Sequence, residues 1–207
     1  MQQEKRGLFI VFEGIDGSGK SSQVHKFVYY LAGLSKYNHI LLTREPYKSR
    51  EIREILRQDS DPYSQARKLA ELFVQDRKEH LQEIILPNLN AGTHVVSDRY
   101  KLSTIVYQSV QGIDIKELIK MHSGLLIPDI TFIIDVPVET AVERMKKDSR
   151  KEHKFEANAE FLNKLRQKYL EMPKLLPEEK ILIIDGTGSI DEVFEQVKRA
   201  FHDNINL

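Results

Sequence analysis

Eight consecutive residues, Gly14-Ile15-Asp16-Gly17-Ser18-Gly19-Lys20-Ser21, fit the spacing G-x-x-x-x-G-K-[ST], and Ser22 continues into a helical pattern. Glycines at these positions let successive backbone N–H groups turn into one concavity, where they can hold phosphate oxygens. Lys20 adds a mobile positive charge toward the outer phosphates, and the Ser21 hydroxyl can reach a magnesium ion. Such a cradle needs a strand before it and a helix after it, because the helix N-terminus adds its dipole to the anion site. The apolar run at 8–12 and the pattern after Ser21 supply both, which makes a chance glycine-rich turn a poor alternative. By itself the motif leaves GTPase, ATPase and kinase open.

A second group of reactive residues stands at 94–100, where His94-Val95-Val96-Ser97-Asp98 reads as a strand ending in an acid and Arg99-Tyr100 follow at once. Ligands of open α/β sheets gather at the carboxyl ends of the strands, so Asp98 is expected to face the crevice of the phosphate cradle. An acid placed there can hold magnesium through water. The competing reading is a structural Asp-Arg pair at a strand end. The N-K-x-D signal of a guanine-specific switch is missing, since Asn163-Lys164-Leu165-Arg166 lacks the acid. None of the 7 histidines has metal spacing, so they read as surface or core residues and magnesium as the only metal.

Five short apolar or β-branched runs, at 8–12, 40–42, 94–97, 130–136 and 181–184, are separated by helical pattern, which predicts parallel strands joined by crossover helices. Asp61-Pro62 offers an N-cap and a first-turn proline for a long helix toward Pro87, and Ser189 with Glu192 offers a capping box for the last helix. The segment 146–154 has no apolar residue and reads as a solvated charged loop. At 207 residues the chain suits one compact domain, 1–207. Lys plus Arg and Asp plus Glu number 31 each, so bulk charge favours neither nucleic acid nor an anionic membrane as partner. The absence of cysteine excludes a disulfide scaffold, an Fe–S cluster and a thiolate zinc site. The polar start at 1–7 is no signal peptide, and no apolar run approaches the ~20 residues of a membrane helix, so a soluble intracellular protein is expected.

The pattern Asp98-Arg99-Tyr100-x-x-Ser103-Thr104-x-Val106-Tyr107-Gln108 resembles the signature of thymidylate kinases. The likeness extends to F-E-G-I-D-G-S-G-K-S-S at 12–22, T-R-E-P at 43–46, L-F-V-Q-D-R at 72–77, P-D-I-T-F-I-I-D-V at 128–136 and I-D-G at 184–186. Deoxynucleoside kinases usually carry Glu-Arg-Ser where this chain has Asp98-Arg99-Tyr100, and fit less well. The resemblance implies a P-loop NTPase fold of the α/β class with five parallel strands in the order 2-3-1-4-5. It also implies ATP and dTMP as substrates, magnesium, a homodimer and a cytoplasmic location.

Roles follow from the same resemblance, residue by residue. The P-loop from Gly14 to Ser22 would hold ATP, with Arg144 stacked on adenine and Asp185-Gly186 beside the base. Arg99 would grip the dTMP phosphate and Asp98 would orient it or the metal; Asp16 would approach the 3'-hydroxyl. Phe73 and Arg77, four apart on one helix face, would stack on thymine and hydrogen-bond its carbonyl. Without the resemblance, Phe73 would read simply as core. Tyr107 would sit against the sugar and disfavour a 2'-hydroxyl, in company with Ser103, Thr104 and Gln108, while Arg44 and Arg53 both remain candidates for the phosphate.

Phosphoryl transfer needs positive charge on the moving group, which the family supplies from a basic residue in the P-loop or from an arginine in a lid. The P-loop here offers Gly17-Ser18, so the lid, about 145–156, is expected to contribute, with Lys147, Arg150, Lys151 and Lys154 as donors and Arg150 as the guanidinium among them. Two departures stand out: His153-Lys154-Phe155-Glu156 where many relatives have D-R-F-E, and Tyr47-Lys48 in place of two glycines after T-R-E-P. The rival readings are a kinase of another nucleoside monophosphate or of a deoxynucleoside, and a nucleotide-gated binding protein without an acceptor site. The set Phe73, Arg77, Arg99 and Tyr107 speaks against the last, because a switch has no use for a pyrimidine pocket.

Overall fold

The run Phe9-Ile10-Val11-Phe12 carries no polar side chain, and a strand of that composition is stable only with both faces covered. In the computed structural model, which describes residues 6–58, 64–147 and 159–205, β1 (Phe9–Glu13) is buried throughout as the middle strand of a parallel sheet. β2 (Ile40–Arg44), β3 (His94–Asp98), β4 (Ile130–Asp135) and β5 (Ile181–Asp185) complete the order β2-β3-β1-β4-β5. This is the five-stranded order that the resemblance implies. The chain runs outward from β1 to β2 and then returns to cross over to β4, so the strand order reverses beside β1 and opens a crevice at the carboxyl ends there.

Register makes that crevice a site. Phe12 and Arg44 both pair with Asp98, so β1, β2 and β3 end level and present Glu13, Arg44 and Asp98 at one edge. Four of the five strands run past the last apolar residue of their sequence pattern to a charged one, because the ladder is made by backbone groups and needs no apolar side chain. β4 instead stops at Asp135, one residue short of the apolar run.

Helices cover both faces. α1 (Lys20–Gly33) and α9 (Ile190–Asn204) close one side over Phe12, Phe27, Phe132 and Phe201. α5 (Lys101–Val110), α6 (Ile115–Met121), α7 (Val138–Lys147) and α8 (Ala159–Leu175) pack on a second core that includes Ile105, Leu118, Phe161 and Tyr169. α2 (Arg50–Gln58), α3 (Ala66–His80) and α4 (Leu86–Asn90) lie toward the β2 edge. The capping box is present: the Ser189 hydroxyl accepts from Glu192 N at 3.3 Å and Glu192 Oε2 from Ser189 N at 2.8 Å.

The expected cap at Asp61-Pro62 lies outside the described residues, and α3 begins at Ala66. Nor does the helical path stop at Pro87: a single π turn, Leu81–Ile85, leads into α4, which carries Pro87 in its first turn. Proline has no N–H and crowds the carbonyl four residues back, and a widened turn just ahead relieves both. Residues 145–147 of the expected lid are the end of α7, with Lys146 and Lys147 exposed. The remainder of the lid, including Arg150, Lys151 and Lys154, lies outside the described residues. No helix among the described residues is long and apolar enough to cross a membrane.

Candidate active site

Two glycines let the P-loop lie flat on its neighbours. A Cβ on Gly14 would stand 2.6 Å from the Ile134 carbonyl oxygen, and one on Gly17 2.4 Å from that of Ala141, both at positive φ. The loop is thereby pressed against β4 and α7 and enters α1 at Lys20.

At the strand ends three groups converge on one carboxylate. Asp98 accepts from Ser21 Oγ at 3.0 Å and from Arg44 at 2.9 Å, with Lys20 Nζ 3.8 Å away. Burial pushes the Asp98 carboxyl up, but Lys20, Arg99 and Arg44 outweigh it and hold the group below the usual carboxylate range. The Lys20 ammonium moves down, chiefly through burial and then through Arg99. Hard oxygens of a hydroxyl and an anionic carboxylate, side by side beneath a phosphate cradle, are the donor set that magnesium takes.

Arg99 adopts a left-handed backbone, φ 75°, which costs a non-glycine residue about 1–3 kcal/mol. In that conformation its guanidinium pairs with Asp16 and donates to Ser103 Oγ at 2.9 Å and Tyr169 Oη at 3.4 Å. Burial opposes its charge, and Asp16 leads the groups that keep it a firm cation. Beneath it Glu13 accepts from Tyr100 N at 2.8 Å and from Ser103 Oγ at 2.6 Å, and Tyr169 Oη stands 3.3 Å away. Burial pushes the Glu13 carboxyl above the ordinary range against the pull of Arg99. Tyr107 donates to Asp16 at 3.4 Å, and the Arg99 guanidinium lies 5.5 Å from its ring centroid.

Beside this cluster opens a cavity of about 280 Å³, lined among others by Phe73, Arg77, Tyr107 and Gln108 and by the apolar Leu56 and Pro46. Phe73 is half-buried and borders the cavity, whereas Arg77, four residues on, is 1% exposed. The five N–H bonds of Arg77 are nearly all committed. Nε and Nη2 face Glu45 Oε2 at 2.7 and 2.6 Å, Nη2 also reaches the Tyr100 carbonyl and Thr104 Oγ1 at 3.0 Å each, and Nη1 lies 2.7 Å from His122 Nε2. One N–H of Nη1 has no partner among the described residues. Glu45 is braced in turn by His80 Nδ1 at 3.2 Å. Gln108 spends its amide N–H on Gln111 Oε1 at 3.0 Å, and its own Oε1 is buried with no hydrogen-bond partner among the described residues. Arg77 and Gln108 thus bring to the cavity lining an uncommitted Nη1 N–H and an uncommitted Oε1 acceptor, beside the polar side chains of Ser103, Thr104 and Tyr107.

His122 Nδ1 lies 2.7 Å from the Leu118 carbonyl oxygen, which can only accept, so the proton sits on Nδ1 and the Nε2 lone pair faces Arg77. Burial and then Arg77 push its pKa from 6.5 down to about 3. The unfolded chain takes up a proton below pH 6.5 that the folded chain refuses until about pH 3, so this group's stabilisation is complete above pH 6.5 and declines as pH falls. Unfolding free energy should fall between pH 6.5 and 5 by up to about 1.4 kcal/mol per pH unit on this account. Denaturant titrations of the wild type and His122→Gln check it: the variant should show the shallower slope, and equal slopes would refute the assignment.

On the opposite side of the P-loop, Arg144 donates to the Ser18 carbonyl at 3.1 Å and to that of Gly186 at 2.9 Å, tying the phosphate loop to the turn after β5. Asp185 closes that turn by accepting from Thr187 N at 2.9 Å. The Tyr47-Lys48 departure is absorbed by α3. Asp76 accepts from the backbone of Tyr47, Lys48 and Ser49 at 2.5, 3.0 and 2.7 Å, and the Tyr47 ring stacks on His80 at 4.6 Å.

The structure thus brings Asp16, Lys20, Ser21, Arg44, Asp98 and Arg99 to one edge and Phe73, Arg77, Tyr107 and Gln108 to the cavity beside it. Arg53 stands apart, exposed and bonded to the Tyr47 carbonyl at 2.7 Å, so of the two candidates it is Arg44 that reaches the strand ends. Thr104 spends its hydroxyl on Arg77, and Ser103 links Glu13 to Arg99. Glu13, Glu45, His122 and Tyr169 are the site residues that motif reasoning does not single out. The first two lie inside the F-E-G and T-R-E-P motifs, which carry a signal for them; the others have none.

A phosphate cradle and an acceptor-sized cavity that share the carboxyl edge of one parallel sheet define a P-loop phosphotransferase. The profile of the thymidylate kinase family matches residues 12–197. Thymidylate kinases of Kosmotoga olearia and Nitratidesulfovibrio vulgaris are 36% and 38% identical to this chain over 94% and 93% of it, and 95% of each relative is covered. The crystal structure of thymidylate kinase from Ehrlichia chaffeensis superposes with a TM-score of 0.74 at 30% identity, covering 95% of this chain and 99% of that one. The chain belongs to the thymidylate kinase family. It is an enzyme of nucleotide biosynthesis that phosphorylates dTMP to dTDP, and ATP is the family's donor.

Proposed function

We propose that the γ-phosphoryl group of ATP passes in line to dTMP, with the donor phosphates held by residues 14–22 and the thymine base held in the cavity of Phe73, Arg77 and Gln108. One observation carries this assignment: the free N–H of Arg77 Nη1 and the unpartnered Gln108 Oε1 complement a carbonyl O4 beside an N3–H. Cytosine presents the reverse pair, an N4 amino group and a bare N3, and would set donor against donor and acceptor against acceptor. Asp16 and Tyr107 face the sugar, and Arg99, backed by Glu13 and Ser103, grips the acceptor phosphate. Arg44 assists it from beside Asp98. Arg144 and Asp185-Gly186 border the adenine. Ser21 and Asp98 would hold magnesium, which when bound neutralises phosphate charge. Lys20 and Arg99 keep donor and acceptor oxygens aligned, and no covalent enzyme intermediate is needed. A homodimer and a cytoplasmic location complete the reading.

The test is kcat/KM for dTMP, dUMP and dCMP. The wild type should accept dTMP and dUMP and discriminate against dCMP by about 10²-fold or more, because the wrong base leaves buried polar groups unpaired. Phe73→Ala should raise KM for dTMP through lost stacking, and Arg77→Ala should chiefly erode the discrimination. A wild type that prefers dCMP, or variants that leave all three values unchanged, would place the base elsewhere.

A further inference from the structure

His122 is the C-cap residue of α6, 4% exposed and 45 residues from Arg77 in sequence, and nothing in the phosphate chemistry calls for it. Its two ring contacts leave it one function. The Leu118 carbonyl fixes the proton on Nδ1, so Nε2 presents a lone pair that takes one N–H of Arg77 Nη1 at 2.7 Å. A guanidinium is planar and its N–H directions are rigidly related. With the plane set by Glu45, Tyr100 and Thr104, occupying one N–H of Nη1 leaves the other as the group's uncommitted donor in a fixed direction.

We propose that His122 is a positioning residue for base recognition, acting through Arg77 to leave Nη1 with one uncommitted N–H for the base, so that the pocket accepts a pyrimidine with a carbonyl at C4. This rests on the placement of thymine in that cavity. With His122 gone, Glu45, Tyr100 and Thr104 would still hold the guanidinium plane, but Nη1 would carry two unpaired N–H bonds able to recruit water or a second acceptor, and the pocket would lose its preference without losing its chemistry. A purely structural histidine would change melting temperature and leave base choice alone.

His122→Leu removes the acceptor, whereas His122→Gln keeps one within reach. At saturating ATP, His122→Leu should raise KM for dTMP about tenfold and lower the dTMP-to-dCMP ratio of kcat/KM about tenfold, the worth of one buried hydrogen bond. Its kcat should stay within about twofold and KM for ATP should not move; His122→Gln should recover most of the ratio. In the wild type, ¹⁵N NMR of the histidine rings should show His122 as the Nδ1–H tautomer at pH 7. Its Nε2 resonance should shift on adding dTMP and stay put on adding a non-hydrolysable ATP analogue. A folded His122→Leu with an unchanged ratio, a joint loss of kcat and ATP affinity, or an Nε2 resonance indifferent to dTMP overturns the proposal. A wild type that fails to prefer dTMP over dCMP sinks the base placement instead, so the two failures are distinguishable.

Discussion

Lys20→Ala should lower kcat by about 10³-fold or more while the chain stays folded, because it removes a desolvated charge aimed at the transferring group. Burial makes that charge count. Lys20 is 6% exposed and its ammonium lies 3.8 Å from Asp98, in surroundings where an ion pair is screened far less than in water. The fold should tolerate the change, since Asp98 keeps Arg44 at 2.9 Å and Ser21 at 3.0 Å and is not left as an unpaired buried anion. Steady-state kinetics beside a thermal melt decide it. A variant with wild-type kcat would remove the P-loop lysine from the mechanism, and a collapsed melt would show that its pairing with Asp98 is structural.

How much of this site could be read before folding depends on whether its parts are local. The phosphate cradle is one uninterrupted turn, so spacing alone placed Gly14, Lys20 and Ser21. The inner strands β1, β3 and β4 were legible because a buried parallel strand is apolar along most of its length, the partly exposed edge strands β2 and β5 because they still carry aliphatic runs, and the capping box because its two partners are three residues apart. The Arg77 network is the opposite case. Glu45, the Tyr100–Thr104 turn and His122 reach it from three segments, and none has a spacing that foretells the others. A histidine without metal spacing reads as surface or core, which is true of His122 and silent about its lone pair. The π turn before Pro87 was illegible for a related reason: a proline predicts a break, while packing of Leu81, Ile85 and Leu89 against one core keeps the helical path going.

Arg150→Ala should lower kcat by about 10³-fold and leave KM for dTMP within about threefold, because a lid cation acts on charge that develops only in the transition state. Arg150 lies outside the described residues; it is the lid guanidinium that the family resemblance implies, and the cations of the described site already have partners. Lys20 and Arg44 face Asp98, Arg99 is paired with Asp16, and Arg144 is spent on the carbonyls of Ser18 and Gly186. The P-loop positions that could carry a base are Gly17 and Ser18. We propose that, beside Lys20, further positive charge on the moving phosphoryl group comes from the segment after α7, the lid that the family resemblance implies. Within that segment a guanidinium can bridge two phosphate oxygens, which an ammonium cannot do with the same geometry. Lys147→Ala and Lys154→Ala serve as controls and should cost less than about threefold, since Lys147 is exposed at the end of α7. If Lys154→Ala takes the large loss and Arg150→Ala does not, the lid still catalyses but through the residue that stands where relatives carry arginine. If all three variants keep wild-type kcat, the charge on the moving group is met by Lys20 and Arg99 alone.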